Sequence, residues 1–332
     1  MLLAFCGCAF LAACTAISTP IHRKRSDPVL PDFILRYAPF LYLSRTEQWW
    51  PTDVTTFFLN TSPQINFVPY PEVPSFANLS AIPYQAYLTA DDDVQDNPAW
   101  LYNIAGQPNA TAYSAAPVTI IQVPKANNTV DAFFFFFYAF NEGKEILDVS
   151  SFGNHLGDWE HVMVRFHNGS PTYIFLSQHS NGVAYPYSAL LPTNGRATVY
   201  IAEGDHAHYA FPGVHVYSDV LTDVTDAGYG WDPLQNYRAY TLDMTNNTWI
   251  PNEAVGVGLT ASEQDNDGGN WLFYEGGWGD EQYPNNDPRQ LCIFSKCRYG
   301  SGPNGPYYKN LGRTAMCTDE TQCVIQTSIY DK

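Results

Sequence analysis

The stretch Ala132–Phe140, AFFFFFYAF, decides the fold of this chain. Alternate side chains of a strand point to opposite faces, so a run that is apolar at every position leaves no face for water. It reads as a central strand buried on both sides. It is too short to span a membrane as a helix, which takes roughly 20 apolar residues. Downstream, residues 158–166 (DWEHVMVRF) and 172–178 (TYIFLSQ) flank His167-Asn168-Gly169-Ser170-Pro171. Asn-Gly between two strand-like runs is a hairpin signal. Residues 198–202 and 214–217 add strand candidates. So does 33–43, where Pro39 argues for an edge position. Residues 60–130 hold few regular runs and read as exposed excursions. With 24 prolines and 23 glycines spread throughout, the expected class is all-β: a mainly antiparallel β-sandwich with long loops and a few short helices.

The N-terminus reads as an export signal. Residues 1–16 are almost wholly apolar and end near the small residue Ala16, as a secretory signal peptide does. The alternative, an uncleaved anchor, has too few apolar residues for a comfortable span. His22-Arg23-Lys24-Arg25 follows, placed where a basic-site protease would trim residues 17–25 as a propeptide. The reading is then a single domain over 26–332, with an Asn/Pro/Gly-rich, cysteine-stapled extension over about 285–332. The formal net charge of −17 becomes more negative when the three basic residues leave. Such a surface excludes nucleic acid and anionic membranes, which need cationic patches. It suits a secreted or vacuolar-lumen protein with no transmembrane span after signal cleavage.

Cys6, Cys8 and Cys14 leave with the signal. Cys292, Cys297, Cys317 and Cys323 remain, which in an oxidising compartment implies two disulfides whose pairing the sequence leaves open. A zinc site is the alternative, although neither pair has the common two-residue spacer. Asn60, Asn78, Asn109, Asn127, Asn168 and Asn246 head Asn-x-Ser/Thr sequons. The sequon at Asn168 has Pro171 directly after its Ser170.

Five of the eight histidines cluster in three motifs: Gly153-Asn154-His155-Leu156-Gly157-Asp158-Trp159-Glu160-His161, Ser177-Gln178-His179, and Gly204-Asp205-His206-Ala207-His208. In a strand, Asp158 and Glu160 project to one face, followed there by Val162, Val164 and Phe166. Carboxylates heading an apolar face are costly unless paired, hydrogen-bonded or metal-bound. His155 folds back toward them, and Asp148 is an additional ligand candidate. The expected cation site is therefore His155, Asp158 and Glu160. Ca²⁺ or Mg²⁺ is favoured by the oxygens, and Zn²⁺ or Mn²⁺ fits if the histidine binds directly. His179, at the end of the second hairpin strand, is expected near Asp158 and Glu160 by antiparallel geometry. His206 and His208 approach from another strand end. His161 points to the opposite face unless a bulge turns it. His161, His179 and His206 are the candidates for acid–base catalysis. The opposing reading is a polar network that closes one end of the sandwich. No nucleophile elbow, phosphate loop or His-Glu-x-x-His helix is present.

YAPFLYL at 37–43, Trp50-Pro51-Thr52-Asp53, GNHLGDWEH, SQH, GDHAHYA and GGWGD at 276–280 together resemble the vacuolar protein sorting-associated protein 62 family over about residues 33–285. That family's pattern near 204 is Gly-Ser-His-Ala; here Asp205 replaces the serine. GNHLGDWEH is also similar to the GHRHDWEH region of the necrosis- and ethylene-inducing-like toxins, secreted β-sandwiches with a divalent cation at that motif. This second resemblance places cation ligands at His155, Asp158 and Glu160, with Gly157 where the toxins have a second histidine. The reading is a secreted or vacuolar glycoprotein with a divalent-cation site of acids and histidines, and the first resemblance implies a link to vacuolar protein sorting. The alternatives are a metal-dependent hydrolase acting on glycan or lipid, and a cation-dependent or toxin-like protein that binds glycans or lipid head groups. Trp49, Trp50, Trp231 and Trp278 are the candidates for a sugar-stacking platform.

Overall fold

The computed structural model describes residues 29–72, 75–146, 150–179, 181–217, 221–255, 269–293 and 296–330. The expected signal, the expected propeptide and Asp148 lie outside these residues.

Fourteen strands carry the architecture: β1 (Phe40–Leu43), β2 (Val118–Lys125), β3 (Thr129–Asn141), β4 (His155–His167), β5 (Ser170–Gln178), β6 (Asn181–Pro186), β7 (Pro192–Thr193), β8 (Arg196–Ile201), β9 (His208–Tyr209), β10 (Gly213–Val216), β11 (Thr222–Thr225), β12 (Tyr229–Trp231), β13 (Tyr237–Asp243) and β14 (Thr248–Val255). A seven-stranded sheet runs β6-β5-β4-β3-β2-β13-β14, so the phenylalanine-rich β3 is its middle strand. A five-stranded sheet runs β7-β8-β1-β12, with β9 paired to β8. Two pairings are parallel, β1 with β8 and β2 with β13; the others within these sheets are antiparallel. The all-β class and the sandwich hold.

Phe134, Phe136 and Tyr138 face the small sheet and meet Leu41, Val199, Ile201 and Trp231 in one core. Phe133, Phe135 and Phe137 face the other way. That second face is where the expectation of exposed excursions fails. Leu79, Ile82, Leu88 and Leu101 are buried against it. So are Trp271, Trp278, Leu311 and Met316 from the C-terminal part. The covering segments are short helices, single 3₁₀ turns and a small sheet made by Thr61–Ile65, Val68–Pro69 and Tyr87–Ala90. None is long enough to show a period, so their burial is invisible to pattern reading. A sheet covered on both faces explains why β3 has no polar side.

The hairpin falls where Asn-Gly placed it: Asn168 (φ 48°) and Gly169 (φ 75°) join β4 to β5, both left-handed as a type I′ turn requires. Residues 33–43 differ from the expectation. Asp32–Arg36 is a helical turn, and only Phe40–Leu43 is strand. That strand is internal, between β8 and β12. Pro39 precedes its first residue, so the proline removes no ladder hydrogen bond. The cysteines pair in sequence, Cys292–Cys297 and Cys317–Cys323. The C-terminal segment also shields the edge strand β6, where Gln326 N–H donates to Ala184 O at 2.9 Å.

Candidate functional site

Asp158 and Glu160 lie on the sandwich-facing side of β4, followed by the buried Val162, Val164 and Phe166. Tyr138 pairs with Asp158 and Phe136 with Glu160 across the sheet. His206 arrives from the turn after β8 in a left-handed conformation (φ 57°). Its Nδ1 lies 2.9 Å from Asp158 Oδ2, and its Nε2 lies 3.1 Å from the Trp49 carbonyl. The ring stacks on Tyr138 at 3.6 Å. A carbonyl can only accept, so Nε2 carries a proton; Nδ1 faces a carboxylate and carries the second. Burial disfavours the charge on His206. The hydrogen bond to Asp158 and the charge of Glu47 outweigh it and raise the imidazole. Burial likewise opposes ionisation of Asp158, but the His206 hydrogen bond and charge win and lower it. The two form a buried ion pair.

Glu160 has no such partner. Burial first, and then the charge of Asp158, push its carboxyl well above the usual range. Ser177 Oγ donates to Glu160 Oε2 and accepts from the His161 N–H at 2.8 Å. His208 Nδ1 is 3.3 Å from the same Oγ, and burial drives its imidazole down to about 3, so it is neutral. His155 Nδ1–H donates to Gly157 O at 2.8 Å; burial lowers this imidazole too, which leaves Nε2 a free lone pair. Each carboxylate spends one oxygen on these bonds. Asp158 Oδ1 and Glu160 Oε1 have no hydrogen-bond partner among the described residues.

Not every expected member comes to this place. The register of β4 and β5 runs to the pair Leu176 and Val162, and beyond it His179 (φ 52°) turns away, its Nε2 meeting Asp223 Oδ2 at 2.8 Å. His161 stays on the other face without a bulge. It lies among Phe133, Phe135 and Phe175, with Arg313 Nη2 3.3 Å from its Nε2. Burial and the Arg313 charge push it well below its ordinary value. Among the described residues, the acid/histidine group whose ligand atoms all lie within 4.8 Å of one another is His179, Asp205 and Asp223, not His155, Asp158 and Glu160. The tryptophan platform fails as well. Trp49, Trp50, Trp231 and Trp278 are all buried. In GGWGD, Trp278 packs on Trp159, and Asp280 accepts from Ala90 N–H at 2.9 Å, a structural bond.

Two residues that pattern reading passed over belong to the site. Ser177 does, rather than its motif partner His179. Buried Glu47 accepts from Trp49 N–H at 2.8 Å and Gly204 N–H at 3.0 Å, and so fixes both backbones that hold His206. Nothing near Glu47 in sequence marks it. Gly157 is explained: at φ 64°, a Cβ there would come within 2.1 Å of the Trp278 carbonyl. No second histidine fits in this fold. The sequon asparagines Asn78, Asn109, Asn127, Asn168 and Asn246 are exposed, and Asn60 is half-buried. No helix of the described residues is long and apolar enough to cross a membrane.

Residues 119–237 match the family described as vacuolar protein sorting-associated protein 62. The chain is similar to the putative vacuolar protein sorting-associated protein TDA6 of Saccharomyces cerevisiae, at 33% identity over 87% of this chain and 68% of the relative. It is similar to vacuolar protein sorting-associated protein 62 of the same yeast, at 32% identity over the same shares. Among solved structures it is similar to necrosis and ethylene inducing protein 2 from the causal agent of cocoa's witches' broom disease. Identity there is 12% over 57% of this chain and 72% of that one, with a TM-score of 0.30. A second is NLPPya in complex with glucosamine, at 14% identity over 72% and 93%, also with a TM-score of 0.30. Superpositions this loose leave function open.

Proposed function

This chain belongs to the vacuolar protein sorting-associated protein 62 family, and from that premise we propose that it is a lumenal glycoprotein of the route to the vacuole that binds its ligand through a divalent cation held by Asp158 and Glu160. The observation that carries this reading is the pair Asp158 Oδ1 and Glu160 Oε1. These are carboxylate oxygens of neighbouring residues on one strand face, and neither has a hydrogen-bond partner among the described residues. Two buried carboxyls with free oxygens form a hard-cation donor set. A bound cation would ionise Glu160 by supplying the charge that the fold does not. It would then present open coordination positions to oxygens of a glycan or lipid head group.

Elemental mass spectrometry of the purified mature chain tests this. About one more Ca²⁺, Mg²⁺, Zn²⁺ or Mn²⁺ per chain is expected in the wild type than in Asp158→Ala. An Asp158→Ala protein that bound as many ions as the wild type when supplied with each metal would end the reading. Treatment with an N-glycosidase is expected to lower the apparent mass, since the sequon asparagines are accessible.

One observation favours a hydrolytic version. The environments of Asp158 and Glu160 push their acidities apart, one down and one up, as acid–base pairs require. Chelator-sensitive release of product from a glycan or lipid, lost in Glu160→Gln, would distinguish turnover from binding.

A further inference from the structure

A second cluster lies beside the first and shares none of its ligands. His179 ends β5, Asp205 sits in the turn after β8, and Asp223 belongs to the β10–β11 hairpin. Lys144 comes from the segment following β3. Asp223 is fully buried and Asp205 is 5% exposed. Asp223 Oδ2 accepts from Tyr209 Oη–H at 2.6 Å and lies 2.8 Å from His179 Nε2. Asp205 Oδ2 and Asp223 Oδ1 are both buried, and the contact each makes is with a cation. They converge on Lys144 Nζ, at 2.9 and 3.4 Å, which also donates to the Glu203 carbonyl at 3.0 Å. One donor atom from each of His179, Asp205 and Asp223 lies within 4.8 Å of the others.

A primary ammonium held among three oxygens sits as a metal ion sits. One ligand atom from each of the three residues within 4.8 Å of the others is a span that a single ion can bridge. Two buried carboxyl groups side by side call for a cation. Here it is tethered by a flexible four-carbon stem whose side chain is 20% exposed, so it can leave. His179 is 29% exposed and opens the cluster to solvent. One imidazole and two carboxylates form a mixed nitrogen–oxygen set, which suits a borderline ion.

We propose that His179, Asp205 and Asp223 form a second divalent-cation site, selective for Zn²⁺ or Mn²⁺, whose place the Lys144 ammonium takes when no metal is bound. The proposal is independent of the Asp158–Glu160 reading.

The test titrates metal-free protein with Zn²⁺ and with Mn²⁺ by equilibrium dialysis, in a Glu160→Gln background that removes a ligand of the other site. Near-ultraviolet circular dichroism checks each fold. Glu160→Gln is expected to bind one ion. Adding Lys144→Met, or Lys144→Gln if the methionine variant fails to fold, is expected to tighten that ion at least tenfold. Adding His179→Gln, which keeps an amide donor toward Asp223, or Asp223→Asn is expected to abolish it. No saturable binding with or without Lys144 overturns the proposal. So does a tightening that survives both His179→Gln and Asp223→Asn. Comparing wild type with Glu160→Gln reads the other site separately.

Discussion

His161 and His206 are equally buried, at 1% and 0% exposure, yet their imidazoles are pushed in opposite directions, one down and one up. They serve opposite faces of the seven-stranded sheet. On the sandwich side, His206 meets the Asp158 carboxylate and is held as imidazolium. On the covered side, His161 meets the Arg313 guanidinium and is held neutral. Burial is common to both and opposes the charged form in each. The sign of the neighbouring charge decides the outcome. Trp159 and Glu160, adjacent in β4, make the same point: one joins an aromatic core, the other the acid/histidine site.

The comparison breaks most severely at Arg313. This guanidinium lies between the rings of Phe133 and Phe175, 5.0 and 4.7 Å from their centroids. It donates to Thr318 Oγ1 at 2.7 Å and to the Lys309 carbonyl at 3.2 Å. Burial pushes it down to about 9. Arg313→Ala leaves a cavity in the aromatic packing and frees two acceptors, so about 4 kcal/mol of stability should be lost in urea unfolding. A loss under about 1 kcal/mol would mean that the covering segments do not depend on it. The His161 ring should then titrate at higher pH by NMR, since its cationic neighbour is gone.

Asp158→Asn strikes the other face. It strands the His206 imidazolium with a neutral amide, and about 3 kcal/mol should go, along with the cation proposed at Asp158 and Glu160. The double variant Asp158→Asn/His206→Gln should recover part of that loss. A cycle showing strict additivity would deny the ion pair.

The Cys317–Cys323 bridge closes the loop just after Arg313 and packs into the same covered face. Replacing both cysteines by serine should cost about 2 kcal/mol, as expected for so short a loop. Partial exposure of the segment should follow, read by faster amide exchange at Arg313 than at β3.

The sequence made the sandwich side legible and the covered side opaque, for a physical reason. Strand alternation is a strict rule, so Asp158 and Glu160 could be placed on one face with Val162 and Val164, and Asn168-Gly169 could be placed in the turn. The cover is built of isolated turns and loops whose burial follows from long-range packing alone. Leu79, Leu101 and Arg313 have no periodic neighbours to betray them. His179 was misplaced by a single left-handed residue, which no alternation rule anticipates. Glu47 and Ser177 act through hydrogen bonds whose partners lie 157 and 17 residues away. His206 was found because a dense run of histidines and acids stands out even without a known geometry.

The smallest effect is also the sharpest test of the two histidines, because it concerns slope rather than size. The native-state pKa of His206 is raised above its unfolded value. The stability it contributes is therefore complete below about pH 6.5 and is lost as pH rises through the raised value. Asp158, lowered, sets the acid limit: its share is present above about pH 3.8 and fades as pH falls through the depressed value. His161 is lowered, so the native protein resists charging it. Its contribution is complete above about pH 6.5 and declines as pH falls. Urea unfolding across pH 5 to 8, with chelator present and in the Glu160→Gln background that silences the neighbouring carboxyl, should therefore give two opposite trends. The stability difference between the parent and His206→Gln should shrink toward pH 8, while that between the parent and His161→Gln should shrink toward pH 5. One proton limits either slope to about 1.4 kcal/mol per pH unit. Parallel trends would place both imidazoles in the same charge state and remove the contrast between the faces. Opposite trends would tie each charge to its own neighbour, Asp158 on one side of the sheet and Arg313 on the other.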